Sequence, residues 1–203
     1  MSDPVPPALS ILIRQACDQL QDGCADEAAQ TFSAVLAVDP HMPEALRGRG
    51  LAHMQLKRWA LAAVDFEAAA RLAPADADAW VEWAKSLAMD GKIYPAMEVF
   101  ETLLAREPAC LRGHLELGLL HLQLGAIPKG RRHLQQALAC RPPVAQRRQI
   151  ERLLAEQDRL DRKRFYRPDF EALQKQRQGR GSLGWTQRLG TLLKRFRGNR
   201  TGM

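Results

Sequence analysis

The chain has 203 residues, of which 46% are hydrophobic and 26% charged. This is an ordinary soluble composition that supports a buried core and contains no apolar run long enough to span a membrane. Its formal charge of +7 hides a split: residues 1–140 carry 13 Lys or Arg against 17 Asp or Glu, whereas residues 141–203 carry 17 against 6. The basicity therefore belongs to the C-terminal third, a pattern associated with tails that meet anionic lipid, nucleic acid or an acidic protein surface.

Cys17, Cys24, Cys110 and Cys140 form no C-x-x-C pair and no compact cluster with histidine, which argues against a zinc site and a disulfide framework. Free, reduced thiols follow, with Cys17 and Cys24 expected as inert packing residues. The opening MSDPVPPALSILI has an acidic residue and three prolines where a secretory signal needs a basic segment, so a cytoplasmic protein is expected.

Taken in chain order, the sequence is ruled by Pro40, Pro74, Pro108 and Pro142, each 34 residues after the last. With each proline as position 32, units fall at 9–42, 43–76, 77–110 and 111–144, after a short N-terminal arm at 1–8. Position 8 reads Ala16, Gly50, Ala84, Gly118; position 20 reads Ala28, Ala62, Ala96, Gly130; position 24 reads Phe32, Phe66, Phe100, Leu134. Small residues at positions 8 and 20 let two antiparallel helices approach closely, and the large residue at position 24 fills the space beside them. Position 15 reads Gly23, Lys57, Gly91, Gly125, where glycine permits a left-handed helix cap; Lys57 departs from the pattern. Proline at position 32 cannot continue the second helix of a pair. Pro95 and Pro128 sit near the starts of their helices, where a missing N–H is harmless.

These columns resemble the tetratricopeptide repeat over about two thirds of the chain. The resemblance implies an all-α fold, a right-handed α-solenoid of helix pairs, whose first helices line a concave binding surface. At position 11, where the family usually has an aromatic residue, this chain has Gln19, His53, Leu87 and His121.

After Pro142 and Pro143, Ile150, Leu153, Leu154 and Leu160 share one side of a helix expected at 145–164, as a solvating cap on the open end of the solenoid. Residues 165–182 read as a flexible linker with a short helix around Phe170–Gln176. In 183–203, Trp185, Leu189, Leu192, Leu193 and Phe196 fall on one helical face, with Arg188, Lys194, Arg195 and Arg197 on the other. That basic amphipathic pattern suits an in-plane helix on an anionic membrane surface, and is similar to C-terminal membrane-targeting helices of some bacterial division and partitioning proteins. Docking onto the chain's own solenoid or onto a partner competes with it. Nucleic acid is the weaker reading, because phosphate contacts require no apolar stripe.

The resemblance places groove residues at positions 5, 9 and 12 of each unit: Ile13, Cys17 and Leu20; Arg47, Leu51 and Met54; Val81, Lys85 and Ala88; Leu115, Leu119 and Leu122. It would be a largely apolar groove with Arg47 and Lys85 as its cations, suited to a protein or peptide segment whose acidic group lies near them. Family members that clamp a C-terminal carboxylate use Lys and Asn where this chain has Ile13 and Cys17, so that clamp is not carried over. His114, His121 and His133 gather in the last unit, but no convergent carboxylate or thiolate accompanies them, and they read as satisfied or exposed side chains. Trp80 and Trp83 stand at positions 4 and 7, where bulky core residues are expected. No catalytic or nucleotide-binding motif appears, and no cofactor or metal is expected. The expected function is a non-enzymatic interaction adaptor, cytoplasmic and peripheral at the inner membrane face where its tail engages lipid. A chaperone for a secretion or assembly client and an accessory subunit of an enzyme are the alternatives.

Overall fold

A computed structural model describes residues 7–165, and every element among them is an α-helix. The expected linker and basic C-terminal helix, with Trp185, Arg188, Leu189, Leu192, Leu193, Lys194, Arg195, Phe196 and Arg197, lie outside the described residues. The chain divides into two units, Met1–Ala155 and Glu156–Met203.

In the first unit, eight helices form four antiparallel pairs: α1 (Pro7–Gln21) with α2 (Ala25–Val38), α3 (Pro43–Gln55) with α4 (Trp59–Leu72), α5 (Ala77–Met89) with α6 (Ile93–Arg106), and α7 (Leu111–Gln123) with α8 (Ile127–Ala139). α9 (Val144–Phe165) follows. The second helices begin at residues 25, 59, 93 and 127, so the 34-residue spacing of the prolines is also the spacing of the elements. The pairs stack in chain order, α2 on α3, α4 on α5 and α6 on α7, which makes this unit an α-solenoid.

Packing follows the columns. Ala16, Ala28, Ala62, Ala84 and Ala96 have no exposed surface, and neither do Phe32, Phe66, Phe100 and Leu134 beside them. In the last pair both small positions are glycine, and the two backbones come close. A Cβ on Gly130 would stand 2.6 Å from Leu122 Cδ2 and 2.9 Å from the Gly118 carbonyl, so no other residue fits without displacement. In the third pair Trp80 is buried, with its ring centroid 5.5 Å from that of half-buried Trp83. Ile150 is fully buried against Leu134 and Ala137, with Leu153 and Leu154 beside it, so this stretch of α9 covers the last pair. Leu160, expected on the same side, is 47% exposed.

All four first helices end in one way. Gly23, Lys57, Gly91 and Gly125 have φ of +81°, +57°, +82° and +74°. In each case the next amide reaches back five residues, Cys24 to the Gln19 carbonyl (2.8 Å), Arg58 to His53 (2.8 Å), Lys92 to Leu87 (2.9 Å) and Ala126 to His121 (2.8 Å). This closes the last turn with a left-handed residue. Lys57 thus takes the glycine conformation that its side chain disfavours, because the stacking on either side dictates the turn.

The prolines are less uniform. Asp39, Ala73 and Glu107, each preceding its proline, leave the helical region with φ of −129°, −124° and −128°, Asp39 being fully extended. The fourth instead follows Arg141 at φ +54°, and α8 ends one residue earlier in its pair, at Ala139. The carbonyls of Pro74 and Pro108 anchor the next helix. Trp80 Nε1–H donates to Pro74 (3.3 Å), and His114 Nε2 lies 2.9 Å from the Pro108 oxygen, both from position 4 of the following unit.

Candidate interaction surface

The exposed side of the first helices is governed by what Arg47 and Lys85 do. Arg47 Nη1 lies 2.6 Å from Asp76 Oδ2, and Asp76 Oδ1 accepts from the Asp78 and Ala79 amides, so one carboxylate caps α5 and holds the cation of α3. Burial would raise the Asp76 carboxyl, but the Arg47 hydrogen bond and charge, helped by the two amides, outweigh it and hold it below the usual carboxylate value. Lys85 Nζ sits 3.6 Å from Glu82 Oε2 and 3.9 Å from Glu116 Oε1, a looser arrangement. Arg112, at position 2 of the last unit, bridges Asp78 and Glu82; burial lowers its pKa, and these two carboxylates more than offset that and raise it.

Arg47, Lys85 and Arg112 therefore meet Asp76, Asp78, Glu82 and Glu116, three cations against four anions. Arg47 and Lys85, expected as the cations of the groove, both contact acids of the chain itself. The residue missed from sequence is Arg112, and the available signal was Asp78 and Arg112 at the same position of successive units.

Between α5 and α7 a cleft of about 170 Å³ opens, lined by Ala88, Met89, Ile93, Leu119 and Leu120, with the fully buried Phe100 ring of α6 closing its inner end. Lys85, Glu116 and Gln123 supply its polar lining, and Met89 is 57% exposed. Of the twelve expected groove residues, Lys85, Ala88 and Leu119 are brought together here. On α3, Leu51 is exposed and Met54 half-buried; on α1, Ile13 and Leu20 are half-buried against the core and Cys17 is exposed. Val81 is fully enclosed, so its side chain belongs to the core. Leu115 and Leu122 pack against the cluster around Leu134, and Leu122 covers Gly130. Cys17 and Cys24 are both exposed, contrary to the packing role expected of them.

The three histidines form a row between α7 and α8. His114 Nδ1 is 3.3 Å from His133 Nδ1, and the His121 and His133 rings stack with centroids 5.5 Å apart. The Pro108 carbonyl can only accept, so His114 carries a proton on Nε2; in its neutral form its Nδ1 accepts from His133 Nδ1–H. Burial first, then His114, His121, Arg132 and Lys129, push the His133 pKa down to about 4. Burial likewise lowers His121, with Lys129 adding to the effect and Glu101 opposing it. Among the described residues no group of three His, Cys, Asp or Glu is placed to hold a metal ion. None of the helices among the described residues is long and apolar enough to cross a membrane.

Two sequence models of the tetratricopeptide repeat match residues 19–81 and 82–145, together more than half of the chain. No curated protein matches it significantly. Among solved structures, a crystal structure of MamA superposes with a TM-score of 0.61 at 19% identity, covering 66% of this chain and 78% of that one. MamA residues 41 to the end, from Desulfovibrio magneticus RS-1, superposes with a TM-score of 0.61 at 20% identity, covering 66% and 75%. At such identities the likeness is one of fold.

Proposed function

The chain belongs to the tetratricopeptide repeat family, an interaction fold, and from that premise we propose that it is a non-enzymatic adaptor holding a partner's segment against its first helices, chiefly at the α5–α7 cleft. The observation that carries this reading is the cleft itself: an apolar opening with Met89 and Leu119 at hand, on the side where helix-pair solenoids present a concave surface. A cavity of this size takes one or two side chains, which suits a peptide segment inserting an anchor. The four units at 9–42, 43–76, 77–110 and 111–144 are the proposed binding body.

The basic C-terminal segment is proposed to localise the adaptor. Its support is the sequence pattern of Trp185, Leu189, Leu192, Leu193 and Phe196 opposite four cations. The protein would then be cytoplasmic and peripheral on an anionic surface. Liposome flotation tests this: binding should rise with anionic lipid, fall with salt and disappear on deletion of residues 183–203. Flotation unchanged by the deletion would dismiss the segment as an anchor.

The groove is tested by affinity purification with Leu119→Asp and Met89→Asp. Both should reduce recovery of partners at least tenfold while leaving the helical circular dichroism intact. Equal recovery from the variants and the parent would place the partner surface elsewhere.

A further inference from the structure

The cleft and its rim also specify what kind of segment fits, an inference that rests on the groove reading above. Among the described residues the rim carries no uncommitted cation. Arg112 is fixed between Asp78 and Glu82, and Arg47 by Asp76. Lys85 is shared at longer range, 3.6 Å from Glu82 and 3.9 Å from Glu116. A partner carboxylate would have to take Lys85 from two acids already beside it, and its own charge would then face Glu82 and Glu116 at close range. A partner cation meets the opposite situation. Glu116 lines the cleft, is 30% exposed, and its ammonium contact is the longest of the set. An incoming Lys or Arg side chain can share it as a shorter, charge-assisted hydrogen bond.

The wider surface has the same bias. Over the four helix pairs, residues 7–139, the acids outnumber Lys and Arg 16 to 13, and the three cations of α8 account for the narrowing, so the field over the first three pairs favours cationic segments during approach. Inside the rim, Ala88, Ile93, Leu119 and Leu120 around Phe100 offer apolar contact only. Met89, 57% exposed and unbranched, can fold over whatever enters.

We propose that the cleft selects a peptide segment in which one large apolar residue is followed or preceded within two positions by Lys or Arg, the apolar side chain filling the cleft and the cation pairing with Glu116. Acidic neighbours at those positions are rejected. This reverses the polarity of a carboxylate-binding groove.

The test is selection of a displayed library of random dodecapeptides on the full chain, run in parallel on full-chain Leu119→Asp and Glu116→Lys. Acidic peptides captured by the basic C-terminal segment are enriched on all three and cancel. Peptides enriched on the parent and lost on Leu119→Asp should pair a Leu, Met, Phe or Trp with a nearby Lys or Arg. On Glu116→Lys the apolar residue should persist while Asp or Glu replaces the cation. For the best peptide made synthetically, exchanging its Lys or Arg for Glu should weaken binding to the parent at least tenfold. An apolar anchor enriched with neutral or acidic neighbours overturns the polarity proposed here and leaves the groove reading standing. Identical enrichment on the parent and Leu119→Asp, or none on either, overturns both. If Leu119→Asp fails to fold by circular dichroism, Met89→Glu, at an exposed position, takes its place.

Discussion

In the second helix pair the space midway between the helices holds Arg49, Asp65 and His53; in the fourth it holds His114, His121 and His133. Both pairs lack the bulky aromatic that the family favours at position 11, and each fills the space by coupling position 11 of the first helix to position 23 of the second. Arg49 makes a two-point contact with Asp65 (Nη2–Oδ1 2.6 Å, Nε–Oδ2 3.0 Å), with His53 Nε2 3.7 Å from the same carboxylate. The fourth pair stacks His121 on His133 with no anion in the contact. The other two pairs fit the rule: Thr31 Oγ1 donates to Gln19 Oε1 (2.9 Å), and Leu87 and Val99 belong to the apolar core. One backbone geometry thus accepts polar, ionic, apolar and imidazole pairs, provided the two positions agree.

The largest expected effect breaks the ionic version. Asp65 is 3% exposed, and Asp65→Ala leaves the Arg49 guanidinium, and a His53 ring whose Nδ1 has no partner, facing an empty site. Removing one member of a buried pair typically costs about 3–5 kcal/mol, and urea unfolding should show a loss of that order, with hydrogen exchange accelerated first in residues 43–76. The double variant Arg49→Leu, Asp65→Val, which copies the apolar chemistry of the third pair, should recover most of it. A loss under about 1 kcal/mol for Asp65→Ala would show that water enters and solvates the guanidinium.

This coupling marks the limit of what was legible in the sequence. Columns 8, 15, 20, 24 and 32 could be read because each reflects a constraint within one unit: a close approach, a left-handed turn, a helix stop. Position 11 read alone looked like four unrelated departures. Its logic lies in a second column twelve residues on, which no local rule connects. The rim charges failed for a related reason. Arg47 finds Asp76 29 residues away, across the junction between units, and composition says that such acids exist without saying which cation each one holds. Val81 and Leu122 were placed on the groove by position number, whereas the local twist of the stack turns one into the core and lays the other over Gly130.

Acid probes both pairs, because burial lowers His53 in the second, with Asp65 opposing, as it lowers His133 in the fourth, where no carboxylate opposes it. The His133 pKa is depressed to about 4, so between its ordinary value of 6.5 and that point the unfolded chain binds a proton that the folded chain refuses. The stability this neutral ring supports is complete above about pH 6.5 and is lost as the pH falls toward 4. The groups around it deepen the effect: His114 and His121 from α7, Lys129 and Arg132 from α8, while Glu101 of α6 acts in the opposite sense on His121. Allowing for solvent at this half-buried site, the loss should be about 2 kcal/mol, appearing as faster exchange in residues 111–139. His121→Leu with His133→Val, again the third pair's chemistry, should flatten the profile. A profile as steep in the double variant would assign the acid sensitivity to other groups.

The smallest effect concerns the turn that all four pairs share, and it sharpens the comparison because only the second pair builds it without glycine. Lys57 holds φ +57° where Gly23, Gly91 and Gly125 hold +81°, +82° and +74°. At those three glycines an added Cβ would meet nothing within 4 Å, so steric crowding plays no part and the cost of a side chain is backbone strain alone. Left-handed backbone disfavours a non-glycine residue by about 1–2 kcal/mol, while glycine gives back part of this through the greater freedom of the unfolded chain. Lys57→Gly should therefore stabilise the protein by about 1 kcal/mol, and Gly91→Lys should destabilise it by a similar amount, both read from urea midpoints at constant m. Combined, the two should nearly cancel, since the turns lie in different pairs and share no partner. A neutral Lys57→Gly would mean that the Lys57 side chain makes a compensating contact in the folded state, and the second turn would then differ from the others in more than its missing glycine.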